Sequence, residues 1–490
     1  AALFVFVLPS ARAVVLDSVA ILPVVNETGD ASRDYFAEGL TRELNTELYK
    51  VAALTVPPAE TVLTYRKTDK PTRKIAQELG VKAVVQVSWL QIGNRHRLIY
   101  TMSDPFRNKV IATDRLEMEE EDIIFLQRAI ARAVVAAVKV AVTPSEQALL
   151  AGGRKVDPEA YELLMRGIAY YWPAEPADFD LRKAIDCLQK AVAIDPELAL
   201  AYAWLAHFYD SAAGDQLDNP RIMLSRARQA VARAFELDDH LPIAYTSRAW
   251  LKVDLDWDFA GAERDFKRAL ELAPGDIVIP LMYESFLCTS GRADEAIESL
   301  KNRAEKRRPV GLEGRYVERQ AFHYLCAGRY DEALEELAKH PTTGPFLPVF
   351  SMAAKALTGA LAEALDAADK SKGQSGLDHP FFRINRAWIL ALAGRREQAL
   401  EALKEHAAIQ AEKGIDIAFD EAAVHAGLGD NDKAFDLLNE AYRDHSIVMF
   451  LLVSDWRLHS LHGDPRFEEL ARKIGFPVIP NVKAKRGGGI

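Results

Sequence analysis

Two histidines three residues apart, in His459-Ser460-Leu461-His462, would put both imidazoles on one helical turn, the geometry of half a zinc site. No Cys or carboxylate stands at ligand spacing around them, so a polar helix end is the expected reading. The acidic run Glu119-Glu120-Glu121-Asp122 could hold a cation, but it precedes an apolar helical stretch and suits the positive end of a helix dipole. Cys187, Cys288 and Cys326 are odd in number and far apart, which fits neither a disulfide framework nor a zinc cluster. Each lies in an apolar helical pattern and is expected to be a small buried hydrophobe. Arg486-Gly487-Gly488-Gly489 follows the last helical pattern and reads as a flexible tail, not a phosphate loop, and kinase or cyclase signatures are missing. The expectation is a chain with no catalytic residue, no cofactor and no bound metal.

Binding chemistry is better represented. Tyr161, Tyr170, Tyr171 and Trp172 crowd one helical pattern, and Tyr202, Trp204, His207 and Tyr209 crowd the next. Most of these serve a core. Those left over, Tyr171, Trp172, Trp204 and His207, are candidate anchors for a protein or peptide partner, because large amphipathic rings bind at low entropic cost. Lys301, Arg303, Lys306, Arg307 and Arg308 gather at a helix end, where the dipole favours cations. Arg307 and Arg308 are the candidate contacts to an acidic partner.

These residues are carried by a chain of 490 residues, too long for one core, with 49% hydrophobic and 27% charged residues and a net charge of −10. The acidic excess falls mostly after residue 150, as a solvated surface, and no basic stripe suggests a nucleic-acid partner. The opening residues 1–8 are almost wholly apolar and Ala11-Arg12-Ala13 has a signal-peptidase form, so residues 1–13 read as a leader, a signal-peptide or membrane-helix remnant, with a hydrophobic edge strand or disordered leader as the alternative. Residues 14–145 alternate strand and helix patterns. Strands are expected at 18–25, 54–56, 83–90, 98–102 and 109–116, with a hairpin turn at Gly93-Asn94. Helices are expected at 35–48, at 72–79 with Gly80 as a left-handed cap, and at about 120–140.

After Pro144 strand patterns stop and internal repetition begins. Ala184, Ala227, Ala262, Ala296, Ala333, Ala364, Ala399 and Ala434 each open the second helix of a unit, at intervals of 43, 35, 34, 37, 31, 35 and 35. The long interval holds an insertion, Gly214-Asp215-Gln216-Leu217-Asp218-Asn219-Pro220. Ala262, Phe266, Ala269 and Pro274 form one second-helix pattern, and Ala184, Leu188, Ala191 and Pro196 another. Gly291, Gly328, Gly394 and Gly429 each stand five residues before an opening alanine. Period and pattern resemble the tetratricopeptide (TPR) repeat, near 34 residues. The resemblance implies an α-helical superhelix, or α-solenoid, of about eight helix pairs over residues 146–478, with a concave groove for a partner and a flexible tail at 479–490. Pro341, Gly344, Pro345 and Pro348 predict an irregular bend between the units of Ala333 and Ala364.

The run Ser18-Val19-Ala20-Ile21-Leu22-Pro23, then Asn26, Gly29-Asp30 and Tyr35-Phe36-Ala37-x-Gly39-Leu40-Thr41-x-Glu43-Leu44, resembles the bacterial TolB-amino-terminal-like (FlgO-like) domain that precedes TPR repeats. Glu78-Leu79-Gly80-Val81, residues 122–127 and Gly463-Asp464-Pro465-Arg466-Phe467 are similar to the same template. The third strand departs from it, with Gln86-Val87-Ser88 where relatives tend to carry Glu-Gly-Ser. That resemblance implies the extracytoplasmic, periplasmic or membrane-anchored regulatory half of an adenylate cyclase, winged-helix regulator or serine/threonine kinase. A stand-alone protein-interaction scaffold is the reading from the repeats themselves.

Overall fold

The computed structural model describes residues 16–172, 179–214, 216–276, 278–306, 313–339, 346–371, 380–480 and 482. The chain divides into two compact units, the first ending at Val156 and the second beginning at Asp157.

The first unit is a small α/β domain. Strands β1 (Val19–Ile21) and β2 (Val25–Asn26) run parallel to β3 (Ala83–Ile92), and β3, β4 (Arg95–Asp104) and β5 (Lys109–Glu119) form an antiparallel meander, in the order β1-β3-β4-β5 with β2 beside β3. The expected single strand over 18–25 is broken, because Pro23 cannot donate to a ladder. Past the break, the Val24 N–H donates to Thr41 Oγ1 at 3.0 Å instead of to the sheet. The strand expected at 54–56 is only a bridge between Ser18 and Thr55, cut short by Pro57-Pro58. Helices α1 (Asp34–Tyr49), α2 (Ala59–Leu63), α3 (Thr72–Leu79), α4 (Ile123–Val138) and α5 (Pro144–Leu150) complete the domain. Gly80 ends α3 at φ 66°, as its type predicts. Residues 120–122 make a 3-10 turn ahead of α4. Short α2 and α5 carry too little periodicity to be seen in the sequence, although Thr143 and Glu146 cap α5 reciprocally.

The second unit is an α-solenoid. Its helices are α6 (Pro158–Tyr171), α7 (Leu181–Ile194), α8 (Ala199–Gly214), α9 (Pro220–Leu237), α10 (Pro242–Asp256), α11 (Phe259–Leu272), α12 (Val278–Thr289), α13 (Ala293–Lys306), α14 (Glu313–Cys326), α15 (Tyr330–Lys339), α16 (Leu347–Leu357), α17 (Leu361–Ser371), α18 (Pro380–Leu392), α19 (Arg396–Glu412), α20 (Ala418–Gly427), α21 (Asn431–Arg443) and α22 (Pro465–Ile474). They pack as pairs from α6/α7 to α20/α21, and successive first helices also pack on one another, α8 on α10 and α14 on α16 on α18 on α20. All the opening alanines, from Ala184 to Ala434, sit in second helices with 0% exposure. A methyl there lets paired helices approach, where a larger side chain would wedge them apart. Gly291, Gly328, Gly394 and Gly429 take φ values of 86°, 70°, 72° and 78°, and Gly359, not singled out in the sequence, takes 95° before Ala364. The bend predicted at Pro341, Gly344 and Pro345 lies outside the described residues; Pro348 opens α16. Cys187, Cys288 and Cys326 are buried free thiols.

After α21 the chain folds back over the first helices. The Trp456 ring meets Phe322 of α14 at 6.3 Å, Phe350 of α16 at 5.8 Å and Phe381 near α18's start at 5.9 Å. Phe450 reaches Trp250 of α10, and Phe476 reaches Phe259 of α11. Side chains from three successive first helices converge on one indole only if those helices curve around it, so this segment fills the concave side. Met449, Leu452, Val453, Trp456, Leu458 and Leu461 are all at most 3% exposed. Such burial is worth on the order of 10 kcal/mol, well above the roughly 5.5 kcal/mol that switches a two-state element. The segment is therefore core. His459 and His462 belong to it: His459 is 1% exposed with Nδ1 2.6 Å from the Tyr330 hydroxyl, a buried contact and not the polar helix end expected.

Beyond α22 the chain crosses the helix-pair turns. A Cβ built on Gly291 would lie 2.2 Å from the Val478 carbonyl oxygen, whereas one on Gly394 meets nothing within 4 Å. Both positions strain an alanine by about 1–2 kcal/mol. Gly291→Ala is thus expected to lower the thermal midpoint several degrees further than Gly394→Ala, measured by circular dichroism. Equal losses would show that residue 478 does not rest on the Gly291 turn.

Candidate interaction surface on the first repeats

Helix α6 begins where the Asp157 carboxylate caps the Glu159 and Ala160 N–H groups, with Pro158 in its first turn, and this sets which residues face α8. Tyr171, at its end, lies against Phe208 of α8, ring centroids 4.7 Å apart and nearly parallel. Its edge meets His207 at 5.3 Å, and its hydroxyl shares a hydrogen bond with Ser211 Oγ at 3.1 Å. Trp172 packs edge-on against Tyr171 at 5.1 Å, and Trp204 edge-on against His207 at 5.7 Å. The fold therefore gathers Tyr171, Trp172, Trp204 and His207 into one aromatic ledge. Residues 204, 207, 208 and 211 share one face of α8 at helical spacing.

Their roles differ. Trp172 and Trp204 keep part of their surface open, while His207 is 7% exposed and supports them from beneath. Burial lowers its pKa to about 4, so the imidazole is neutral at ordinary pH. Phe179, 5.7 Å from Tyr171 and 47% exposed, extends the ledge. It stands just before α7, outside any helical period, and no sequence signal marked it.

The other aromatic candidates serve the repeats. Tyr161 is buried at 1% exposure, and the Tyr209 hydroxyl accepts from Gln189 at 2.7 Å. Of the basic cluster, Arg303 neutralises Glu284, a carboxylate with 0% exposure, through Nε at 3.0 Å and a second, shorter contact. Lys301 lies over the Tyr324 ring at 5.5 Å. A buried acid thus accounts for Arg303, and Arg307 and Arg308 lie outside the described residues. The grouping of three metal-ligand side chains found among the described residues is Asp238, Asp239 and His240 in the turn after α9, not the His459–His462 pair. There the His240 Nδ1 lies 2.6 Å from Asp239, an exposed pair.

Beside the ledge, α8 and α10 bring together two acids that sequence inspection could not pair. Asp210 and Asp254 lie close enough to interact electrostatically, and among the described residues Asp254 Oδ1 is buried with no hydrogen-bond partner. Burial pushes the Asp210 pKa up to about 7, and burial plus the neighbouring acid raises that of Asp254 well above its usual value.

No family model matches the chain. Over 222 residues it is 31% identical to a protein of Rhizobium meliloti (strain 1021) named putative adenylate cyclase 3, covering 44% of this chain and 37% of that one. Over 86 residues it is 34% identical to tetratricopeptide repeat protein 37 of Xenopus laevis, 18% of this chain and 5% of the relative. The chain thus spans well under half the length of these curated relatives. Among solved structures, yeast Tom70 aligns over 72% of this chain and 83% of its own at 14% identity and a TM-score of 0.36. A chain of the Naa15/Naa10 complex bound to HypK-THB aligns over 64% and 46% at 16% identity and a TM-score of 0.24. Directly from its helix pairs, the second unit is a TPR-like helical-repeat array behind a small α/β domain.

A carboxyl whose folded pKa lies above its unfolded value of about 3.9 contributes stability that is fully present below that value and is lost as pH rises through the folded pKa. Asp254→Asn removes one of the two raised ionisations, so its stability relative to the unsubstituted protein should grow from pH 6 to 8.5, by on the order of 1 kcal/mol. Urea unfolding at several pH values measures this. A difference that stays flat with pH would show that neither carboxyl keeps its proton into this pH range.

Proposed function

We propose that the chain is a non-catalytic interaction scaffold whose partner, a protein or peptide segment with apolar side chains, docks on the aromatic ledge of α6 and α8. What carries this reading is the division of the first-helix side. From α10 to α20 it is packed against the chain's own residues 447–461, whereas Trp172, Trp204 and Phe179 keep open surface. The partner site expected along the whole concave groove is thereby narrowed to its first repeats. Rigid aromatic rings resting on buried His207 and Phe208 are suited to be hot spots.

The first unit is read as a TolB-amino-terminal-like module, supported by the residues in 18–44 that carry the resemblance and by its α/β arrangement. A second reading is favoured by the partial likeness to the putative adenylate cyclase: a regulatory portion of a membrane signalling protein, acting on an output domain elsewhere in the native chain. The two part on what lies upstream of Ala1, which intact mass and amino-terminal sequencing of the native protein determine.

The scaffold reading is tested by panning a displayed peptide library on the full chain. Selected peptides are expected to bind at least tenfold more weakly, about 1.4 kcal/mol, to Trp172→Ala and Trp204→Ala proteins that keep the parent's thermal midpoint. Peptides indifferent to both substitutions would overturn the ledge as the docking surface.

A further inference from the structure

We propose that the contact between the first repeats and the last is a strained latch, which can open while the packed interior stays closed. Among the described residues of the second unit, the non-glycine positions with positive φ are Gln216 at 53°, Trp257 at 51° and His445 at 51°. Left-handed backbone is costly for residues with a Cβ, and bulky ones take it only where surroundings impose it. All three lie at one place, where the loop after α8 and the end of α10 meet the ends of α19 and α21.

The Gln216 carbonyl accepts from Lys413 Nζ at 2.8 Å, and its side chain pairs with Gln410. Asn219 donates to the Gly414 carbonyl at 3.0 Å. Arg221 donates to the carbonyl of Asp444 and, at 3.5 Å, to that of His445. The Trp257 indole stacks on the His445 ring at 3.9 Å and on Tyr442 at 5.6 Å, while His445 Nε2 lies 2.8 Å from the Leu255 carbonyl. The insertion that lengthens the 43-residue interval supplies several of these contacts, which gives the extra residues a purpose: they join the two ends of the array.

The seam and the interior are built differently. Seam contacts are mostly exposed hydrogen bonds and the stacking of one indole on two rings, only partly buried at the margin of the interior, set against three strained backbones, so its closed and open arrangements are close in free energy. The segment behind it, with Trp456 and Leu458, is held by full burial. A marginal contact in front of a strongly packed one is what local opening without global unfolding requires. Opening frees α6 to α9, which carry the ledge, from the last repeats.

Hydrogen–deuterium exchange on the full chain, read by mass spectrometry, tests this. In the unsubstituted protein, amides of residues 216–222 and 410–416 should exchange at least tenfold faster than those of 449–461. Trp257→Ala should accelerate exchange by a further tenfold or so in 410–416, a stretch Trp257 does not stack on, and leave 449–461 unchanged. Lys413→Ala, which removes the donor to the Gln216 carbonyl and leaves the Asn219 cap of α9 in place, should give a smaller rise of about threefold in residues 442–446. Changes confined to the neighbourhood of each substituted residue, or exchange of 449–461 together with the seam, would overturn the latch.

Discussion

The close approach of paired helices governs this protein. Each pair has apolar surface on two sides and cannot bury it alone, so stacking succeeds only where the second helix begins with a side chain small enough for contact. The alanines from Ala184 to Ala434, all with no exposed surface, meet that condition once per repeat. The turn glycines follow from it, since helices that close need a sharp reversal, and left-handed Gly291, Gly328, Gly359, Gly394 and Gly429 supply one. The larger residues between, such as Phe266, Phe286 and Phe419, then fill the grooves the alanines leave.

Stacking creates a second problem, a concave side lined with apolar first helices. The chain solves it with its own residues 447–461. Trp456 draws together Phe322, Phe350 and Phe381, and Arg457 answers Asp455 and Asp420 with a network of buried ion pairs. With both charges of each pair satisfied, the interior tolerates them; deletion of one partner would leave a buried charge exposed to nothing. The same filling covers the apolar side of the first helices from α10 to α20.

In the first unit, the residues that carry the family resemblance turn out to be structural. Phe36, Leu40 and Leu44 form the buried stripe of α1, and Thr41 takes up the N–H that Pro23 diverts from the sheet. Trp89, with 0% exposure, stacks near Phe36 and donates to His96 Nδ1 at 3.1 Å. A motif can thus be read as a family signature and still be, atom by atom, a solution to one broken strand and one buried indole.

What was legible in the sequence is what repeats or punctuates: the alanine period, the turn glycines, the cap at Gly80 and the hairpin at Gly93-Asn94. These are local consequences of residue size and backbone freedom, and they determine helix, turn and repeat without reference to distant residues. Gathering Tyr171 and Trp172 with Trp204 needed only adjacent repeats, so composition already hinted at the ledge. Only the tertiary structure could decide the rest. Asp210 meets Asp254, Trp456 enters the groove, Trp257 stacks on His445, and Arg303 belongs to Glu284. The two short-range pairings, Asp210 with Asp254 and Arg303 with Glu284, depend on how neighbouring helices rotate against one another, and those of Trp456 and Trp257 on how far the stack of pairs curves before distant repeats meet. That curvature is a sum of small packing angles over the whole array, and no single stretch of sequence encodes it.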